Sequence, residues 1–136
     1  MERTLAIIKP DAVNAKATGK IINRIEQEGF NIIAMKKLQL TKDKAEGFYA
    51  VHKGKPFLAE LVDFMISGPV VVMVLEKENA IKSWRDLMGP TDPAKATDPN
   101  CLRKLYGTNI GFNATHGSDS PETAATEIKF FFPELF

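Results

Sequence analysis

The sequence predicts an α+β fold, with one mainly antiparallel sheet of four strands covered by helices. Three observations lead there. Short β-branched runs alternate with segments whose apolar residues recur at helical spacing. One run, Val70 to Leu75, is apolar without interruption, as in a strand covered on both faces. The length of 136 residues, with 44% hydrophobic and 26% charged, suits a single domain spanning 1–136 with a core of its own.

Thr4 to Ile8 is a β-branched run closed by Lys9-Pro10-Asp11, which reads as a central strand ending in a proline turn. Thr18 to Glu28 is a helix with Thr18 as its N-cap, Ile21, Ile22 and Ile25 as its apolar stripe, and Gly29 as its stop. Phe30 to Leu40 is a long strand whose Lys36-Lys37 pair faces solvent. Thr41 opens a short helix through Tyr49. Pro56 starts another, with Leu58, Leu61, Val62 and Met65 on one face. After the buried strand, Glu78 to Met88 is helical, with Trp84 as a packing residue and Gly89-Pro90 as the break. Residues 89–116 then form a long loop containing one short helical candidate, Cys101 to Tyr106; a loop of that length inside a compact domain is usually functional. Ser120-Pro121-Glu122-Thr123 restarts a helix. Glu127 to Phe132 reads as the last strand, and Pro133 to Phe136 as a tail. With no internal repeat or linker, the simplest packing is a ferredoxin-like sandwich.

Composition narrows the function. A formal net charge of +1 argues against non-specific binding to nucleic acid or an anionic membrane. The single cysteine, Cys101, excludes an internal disulfide, and no cysteine and histidine spacing resembles a zinc site. No apolar run approaches the ~20 residues of a membrane span, and the N-terminus lacks a signal-peptide pattern. The expected location is the cytoplasm, with no membrane partner.

The candidate chemistry centres on Asn113-Ala114-Thr115-His116-Gly117-Ser118-Asp119-Ser120. His116 is one of two histidines, and small residues beside it let a ligand approach. Phosphoryl transfer needs cations and groups that align donor with acceptor. Lys9 at a strand end, Arg85, Thr91 at the start of the long loop, Arg103, and Asn113 near its close supply such a set. No Gly-x-x-x-x-Gly-Lys-Ser/Thr loop or Gly-x-Gly-x-x-Gly turn is present. A histidine can instead accept the phosphoryl group itself, its ring oriented by a partner on one nitrogen; Glu127 and Ser118 are the candidates nearest in sequence. His52 reads as a packing residue and Cys101 as an incidental small residue, with nothing to activate its thiol.

Thr4 to Ala12, Ala45 to His52, Ser67-Gly68-Pro69-Val70, Asn79-Ala80 ahead of Arg85, Met88-Gly89-Pro90-Thr91 and Asn113 to Ser120 together resemble the nucleoside diphosphate kinases from end to end. The resemblance implies a phosphotransferase that moves the terminal phosphate of a nucleoside triphosphate, typically ATP, to a nucleoside diphosphate in two half-reactions. It makes His116 the phosphorylated nucleophile at Nδ1, with Glu127 and Ser118 positioning it and Tyr49 alongside. Arg85, Thr91 and Arg103 would hold the phosphates; Lys9 and Asn113 would contact the sugar hydroxyls, Lys9 also serving the transferring phosphate. Phe57 and Ile110 would sandwich the base, with Leu61 nearby. Stacking accepts any base, since every base has a π-face. Mg2+ would ride on the nucleotide phosphates, with no direct protein ligand and Asp119 at most a water-mediated contact. The stretch between Thr91 and Arg103 is one residue longer than the common pattern, which leaves Lys104 as the alternative cation. The family forms homo-oligomers, tetramers or hexamers, and the altered loop and short C-terminal tail weigh toward a tetramer. Two rivals share the fold. A nucleic-acid-binding module would carry exposed aromatics and basic residues on its central strands, and Ile7, Ile8 and Val70 to Leu75 do not. A catalytically silent member would lack part of the set running from Lys9 to His116.

Overall fold

The computed structural model describes residues 1–135. Its strands are β1 (Glu2–Ile8), β2 (Asn31–Leu38), β3 (Val70–Lys77) and β4 (Thr115–Gly117), joined in the order β2-β3-β1-β4 with every pairing antiparallel. The helices are α1 (Pro10–Asn14), α2 (Thr18–Gln27), α3 (Lys42–Phe48), α4 (Leu58–Met65), α5 (Ala80–Met88), α6 (Leu102–Tyr106) and α7 (Pro121–Phe131). The four-stranded α+β sandwich of the sequence is the fold observed.

Alternation along the central strands separates two cores, because successive side chains of a strand leave by opposite faces. Leu5 and Ile7 of β1, with Val70, Val72 and Val74 of β3, pack against α3, α4 and α7 through Ala45, Val62, Met65, Ile128 and Phe131. Ala6 and Ile8, with Val71, Met73 and Leu75, meet Ile21 and Ile25 of α2 and Trp84, Leu87 and Met88 of α5. The unbroken apolar run in β3 is therefore buried on both faces.

The last predicted strand is a helix. Glu127 to Phe132 lies almost wholly within α7, and the fourth strand is Thr115–Gly117, carrying His116 itself. Ser120 Oγ accepts from the Thr123 N–H at 3.1 Å, Pro121 fills the first turn, and Ala124, Ile128 and Phe131 recur at i, i+4, i+7 on the buried face. The aromatic run Phe130-Phe131-Phe132 mimics a strand, but the helix that the Ser120 cap starts continues through Phe131. Pro133–Leu135 is a short 3-10 turn, and Phe136 lies outside the described residues.

Smaller differences have local causes. Lys9-Pro10-Asp11 opens α1 instead of a turn, with Pro10 at its first position. Thr18 is the first residue of α2, Ala17 standing at the cap. The β2 strand is shorter than predicted and irregular between Ile32 and Ala34. Lys36 is engaged, not simply solvated: its ammonium donates to the Phe131 carbonyl at 2.8 Å and pairs with Glu134 at 2.7 Å, tying β2 to the end of α7. Among the described residues no helix is long and apolar enough to cross a membrane.

Candidate active site

The sheet register aims His116. It lies opposite Ile7 in the β1–β4 pairing, so its ring leaves the sheet on the α3 and α7 face. Gly117 lies opposite Ala6 and faces α5. A Cβ on Gly117 would stand 2.4 Å from Trp84 Cδ1 and 2.8 Å from Met88 Cε, so only glycine lets β4 lie this close to α5. From that face the Trp84 indole N–H donates to the His116 carbonyl at 3.0 Å. Trp84 thus packs, as expected, and also pins the histidine backbone.

On the other face, His116 Nε2 is 3.1 Å from Glu127 Oε1. An ionised carboxylate only accepts, so Nε2 carries the hydrogen and Nδ1 keeps its lone pair. The Ser118 hydroxyl donates to the same Oε1 at 2.7 Å and accepts from the Leu5 N–H at 3.2 Å. Glu127, one turn from the C-terminal end of α7, is thereby tied through Ser118 to the central strand. Phe48, at the end of α3, meets the imidazole edge to face at 5.4 Å. Tyr49 is buried next to Phe48, and its hydroxyl has no partner among the described residues. Burial, reinforced by the Glu127 charge, pushes that hydroxyl far above the usual phenol range.

The cations gather on the neighbouring side. Arg85, Gly89, Pro90, Thr91, Thr97, Cys101 and Arg103, with the carboxylates of Asp86 and Asp98, line a cavity of about 460 Å3 between the end of α5 and the start of α6. Gly89, at φ +85°, turns the chain out of α5. Arg103 is buried and fixed: Nη1 donates to the Gly89 carbonyl and Nη2 to the Thr115 carbonyl, each at 3.0 Å. Its Nε is buried without a partner. Burial and the nearby Arg85 bring the Arg103 guanidinium down to about 10, still a cation at neutral pH. Lys104 is exposed and takes no part in the cavity wall. The 92–102 segment folds through a 3-10 turn at Pro93–Lys95 and an Asp98 turn, leaving Arg103 on the inner side of α6. Arg85 pairs with Asp119 at 2.5 Å, which links the cavity wall to the chain just past His116.

Lys9 ends β1 and is buried, its Nζ donating to Asn113 Oδ1 at 2.9 Å. Asn113 Nδ2 donates in turn to the Thr91 carbonyl at 3.1 Å, so Lys9, Asn113 and Thr91 form one chain of contacts. Burial first, and Arg103 second, bring Lys9 down to about 8, against the opposing pull of Asp11. Asp11, in the first turn of α1, accepts the Ala114 N–H on Oδ2 at 3.1 Å; burial pushes its carboxyl upward.

The structure therefore brings His116, Ser118 and Glu127 into direct contact, and Arg85, Thr91 and Arg103 around one cavity, with Lys9 and Asn113 bonded to its rim. Phe57 and Ile110 stand apart from that cavity, 47% and 60% exposed, while Leu61 is half-buried in the α4 face of the core. Phe64 of α4 packs on Phe112 at 4.7 Å, which brings α4 and the 109–112 turn side by side. Phe48 and Asp11 are the contacts that sequence reasoning missed. Both lie in stretches that carry the family resemblance, Thr4 to Ala12 and Ala45 to His52, but only the fold places them against Ala114 and His116. Among the described residues no group of three or more His, Cys, Asp or Glu side chains is arranged to hold a metal ion.

Comparison with known proteins converges on one family. A family model described as nucleoside diphosphate kinase matches residues 2–135. A nucleoside diphosphate kinase of Desulfotalea psychrophila is 61% identical over 135 residues, covering 99% of this chain and 98% of its own. One from Geotalea uraniireducens is 58% identical with the same coverage. Among solved structures, the Aquifex aeolicus nucleoside diphosphate kinase superposes with a TM-score of 0.96 at 54% identity, covering 98% of this chain and 96% of that one. A halophilic nucleoside diphosphate kinase from Halobacterium salinarum in complex with CDP gives 0.91 at 39% identity, covering 96% and 87%.

Proposed function

The chain belongs to the nucleoside diphosphate kinase family, phosphotransferases that work by a phosphohistidine relay, and we propose that His116 is the residue that carries the phosphate. One observation carries this reading: Glu127 holds the Nε2–H, which leaves the Nδ1 lone pair as the free nucleophile.

In the first half-reaction the Nδ1 lone pair attacks the terminal phosphorus of a nucleoside triphosphate. The bond to the bridging oxygen breaks, and the diphosphate leaves with that oxygen. In the second, a terminal phosphate oxygen of a different nucleoside diphosphate attacks the same phosphorus, and the N–P electron pair returns to Nδ1. During each transfer the ring bears positive charge, which the Glu127 carboxylate offsets, with Ser118 holding that carboxylate in place. Arg85, Arg103 and the Thr91 hydroxyl are suited to the phosphate oxygens, since a guanidinium offers a planar fork of donors. Lys9 serves the transferring phosphate and, with Asn113, the sugar hydroxyls; Tyr49 supports the wall beside the imidazole.

The exposed rings of Phe57 and side chain of Ile110, with Leu61 behind them, are the surfaces for the base, and contact through faces alone suits any nucleotide. The CDP complex of the halobacterial relative supports a nucleoside diphosphate as one substrate. Mg2+ would be carried by the nucleotide phosphates, whose charge it would offset, with Asp119, the carboxylate paired with Arg85, reaching it through water. The reading is of a cytoplasmic enzyme in which 1–136 acts as one domain. It assembles as a homo-oligomer, tetramer or hexamer; the open outer edge of β2, with Met35 half exposed, supports contact between copies.

The test is steady-state kinetics with ATP and a second nucleoside diphosphate. Parallel reciprocal plots and no turnover by His116→Ala are expected; intersecting plots, or a His116→Ala variant that turns over normally, would contradict the relay.

A further inference from the structure

We propose that Asp11 is a positioning residue for the phosphoryl relay, its carboxylate oxygen clamping the Ala114 N–H so that the segment entering β4 delivers His116 and Asn113 to fixed places. The inference rests on the His116 reading above.

Ala114 is the hinge of this segment. Its φ of +73° lies in the left-handed region, which costs a residue with a Cβ and persists only where the surroundings hold it. Two contacts from one neighbouring segment do so, together with a turn bond across the hinge itself, in which the Thr115 N–H donates to the Asn113 carbonyl at 2.8 Å. The Lys9 N–H donates to the Ala114 carbonyl at 2.8 Å, and the Ala114 N–H donates to Asp11 Oδ2 at 3.1 Å. Ala114 itself is fully buried in the core on the α2 and α5 face. Both peptide groups of a strained residue are thus fixed by the start of α1, which also presents the Lys9 ammonium.

The residues on either side carry the consequence. Asn113 accepts from Lys9 Nζ and donates to the Thr91 carbonyl, so its rotation changes with the 113–114 peptide. Thr115 and His116 follow immediately as β4, whose pairing is only three residues long and has little register strength of its own. Without the Asp11 acceptor, the Ala114 N–H would be a buried donor lacking a partner, and the strained conformation would be held only by the Lys9 N–H and the Thr115–Asn113 turn bond. The side chain needed is an acceptor at one position. The second carboxylate oxygen, Oδ1, is buried with no partner among the described residues and takes no part in the clamp. Asparagine therefore supplies what the clamp needs, whereas glutamate carries the charge to the wrong place.

The experiment is single-turnover phosphorylation of the full-length protein by ATP, read as acid-labile phosphate, with nucleotide affinity measured separately by equilibrium binding. Asp11→Ala is expected to slow phosphorylation tenfold or more with affinity for ADP held within threefold. Asp11→Asn is expected to recover most of the rate, and Ala114→Gly in the Asp11→Ala background to recover part of it, because glycine occupies positive φ freely. If Asp11→Ala does not fold, the comparison of Asp11→Asn with Asp11→Glu decides, with Asn the faster. A wild-type rate in Asp11→Ala, a slowing confined to ADP affinity, or an Asn variant no faster than Glu overturns the proposal. Absence of acid-labile phosphate on the wild-type protein would instead remove the His116 reading itself.

Discussion

Replacing Glu127 with glutamine tests how the imidazole is prepared. The amide oxygen keeps an acceptor for the His116 Nε2–H and the Ser118 hydroxyl, which lie 3.1 Å and 2.7 Å from Oε1, so the packing is unchanged. What disappears is the negative charge facing a ring that becomes cationic as Nδ1 takes the phosphoryl group. A hydrogen bond to a charged group is worth about 1.5–3 kcal/mol and a neutral one about 0.5–1.5 kcal/mol. The difference of roughly 1–2 kcal/mol converts to a rate loss of about five- to thirtyfold at 1.36 kcal/mol per decade. Because the interaction strengthens only as charge develops, the loss belongs to the chemical step and not to binding. Rapid-quench measurement of phosphohistidine formation over a range of ATP concentrations separates the two. A limiting rate within twofold of wild type, or a loss wholly in the half-saturating concentration, would refute the argument that Glu127 stabilises the charged ring.

Lys9, brought down to about 8 by burial and by Arg103, must be protonated to neutralise a phosphate. The ratio kcat/KM, which reports the free enzyme, is therefore expected to fall above about pH 8, and Lys9→Gln to remove that limb; an unchanged limb would assign it elsewhere. In stability the sign is opposite: between about 8 and 10.5 the unfolded chain holds a proton that folded Lys9 has lost, so this group makes stability rise with pH there. Gly117→Ala places a Cβ 2.4 Å from Trp84 Cδ1 and 2.7 Å from its Nε1. Overpacking of this kind costs about 1–3 kcal/mol, or a fall in Tm of roughly 4–12 °C; a thermal melt within about 1 °C of wild type would show that α5 yields freely.

Much of this fold is written locally. The β3 run and the α2 and α5 stripes declare themselves because periodicity needs only neighbours along the chain. The fourth strand does not, since Thr115–Gly117 is too short to show a period and becomes a strand only by pairing with β1. Along the sequence Glu127 to Phe132 looks more like a strand, because three consecutive phenylalanines hide the continuation of the helix capped by Ser120. The consequence reaches the site. Read as a loop histidine, His116 has no defined direction; as a strand residue opposite Ile7, it must face α7, where Glu127 waits. Glu127 and Ser118 were legible as partners because they are near in sequence. Asp11 lies 103 residues from Ala114 and Phe48 is on a separate helix, so both contacts exist only in three dimensions. Arg103 gained from the structure too: its bonds to Gly89 and Thr115 distinguish it from the exposed Lys104 despite the longer segment before it.

The central claim is that a covalent phosphate passes through His116 Nδ1. It is tested most directly by incubating the protein with γ-labelled ATP and no acceptor, then locating the label by peptide mass under alkaline conditions. One phosphate per chain is expected on the peptide containing His116, stable to base, labile to acid, discharged by added nucleoside diphosphate and absent in His116→Ala. A label that persists at full level in His116→Ala, or that no nucleoside diphosphate can remove, would contradict it.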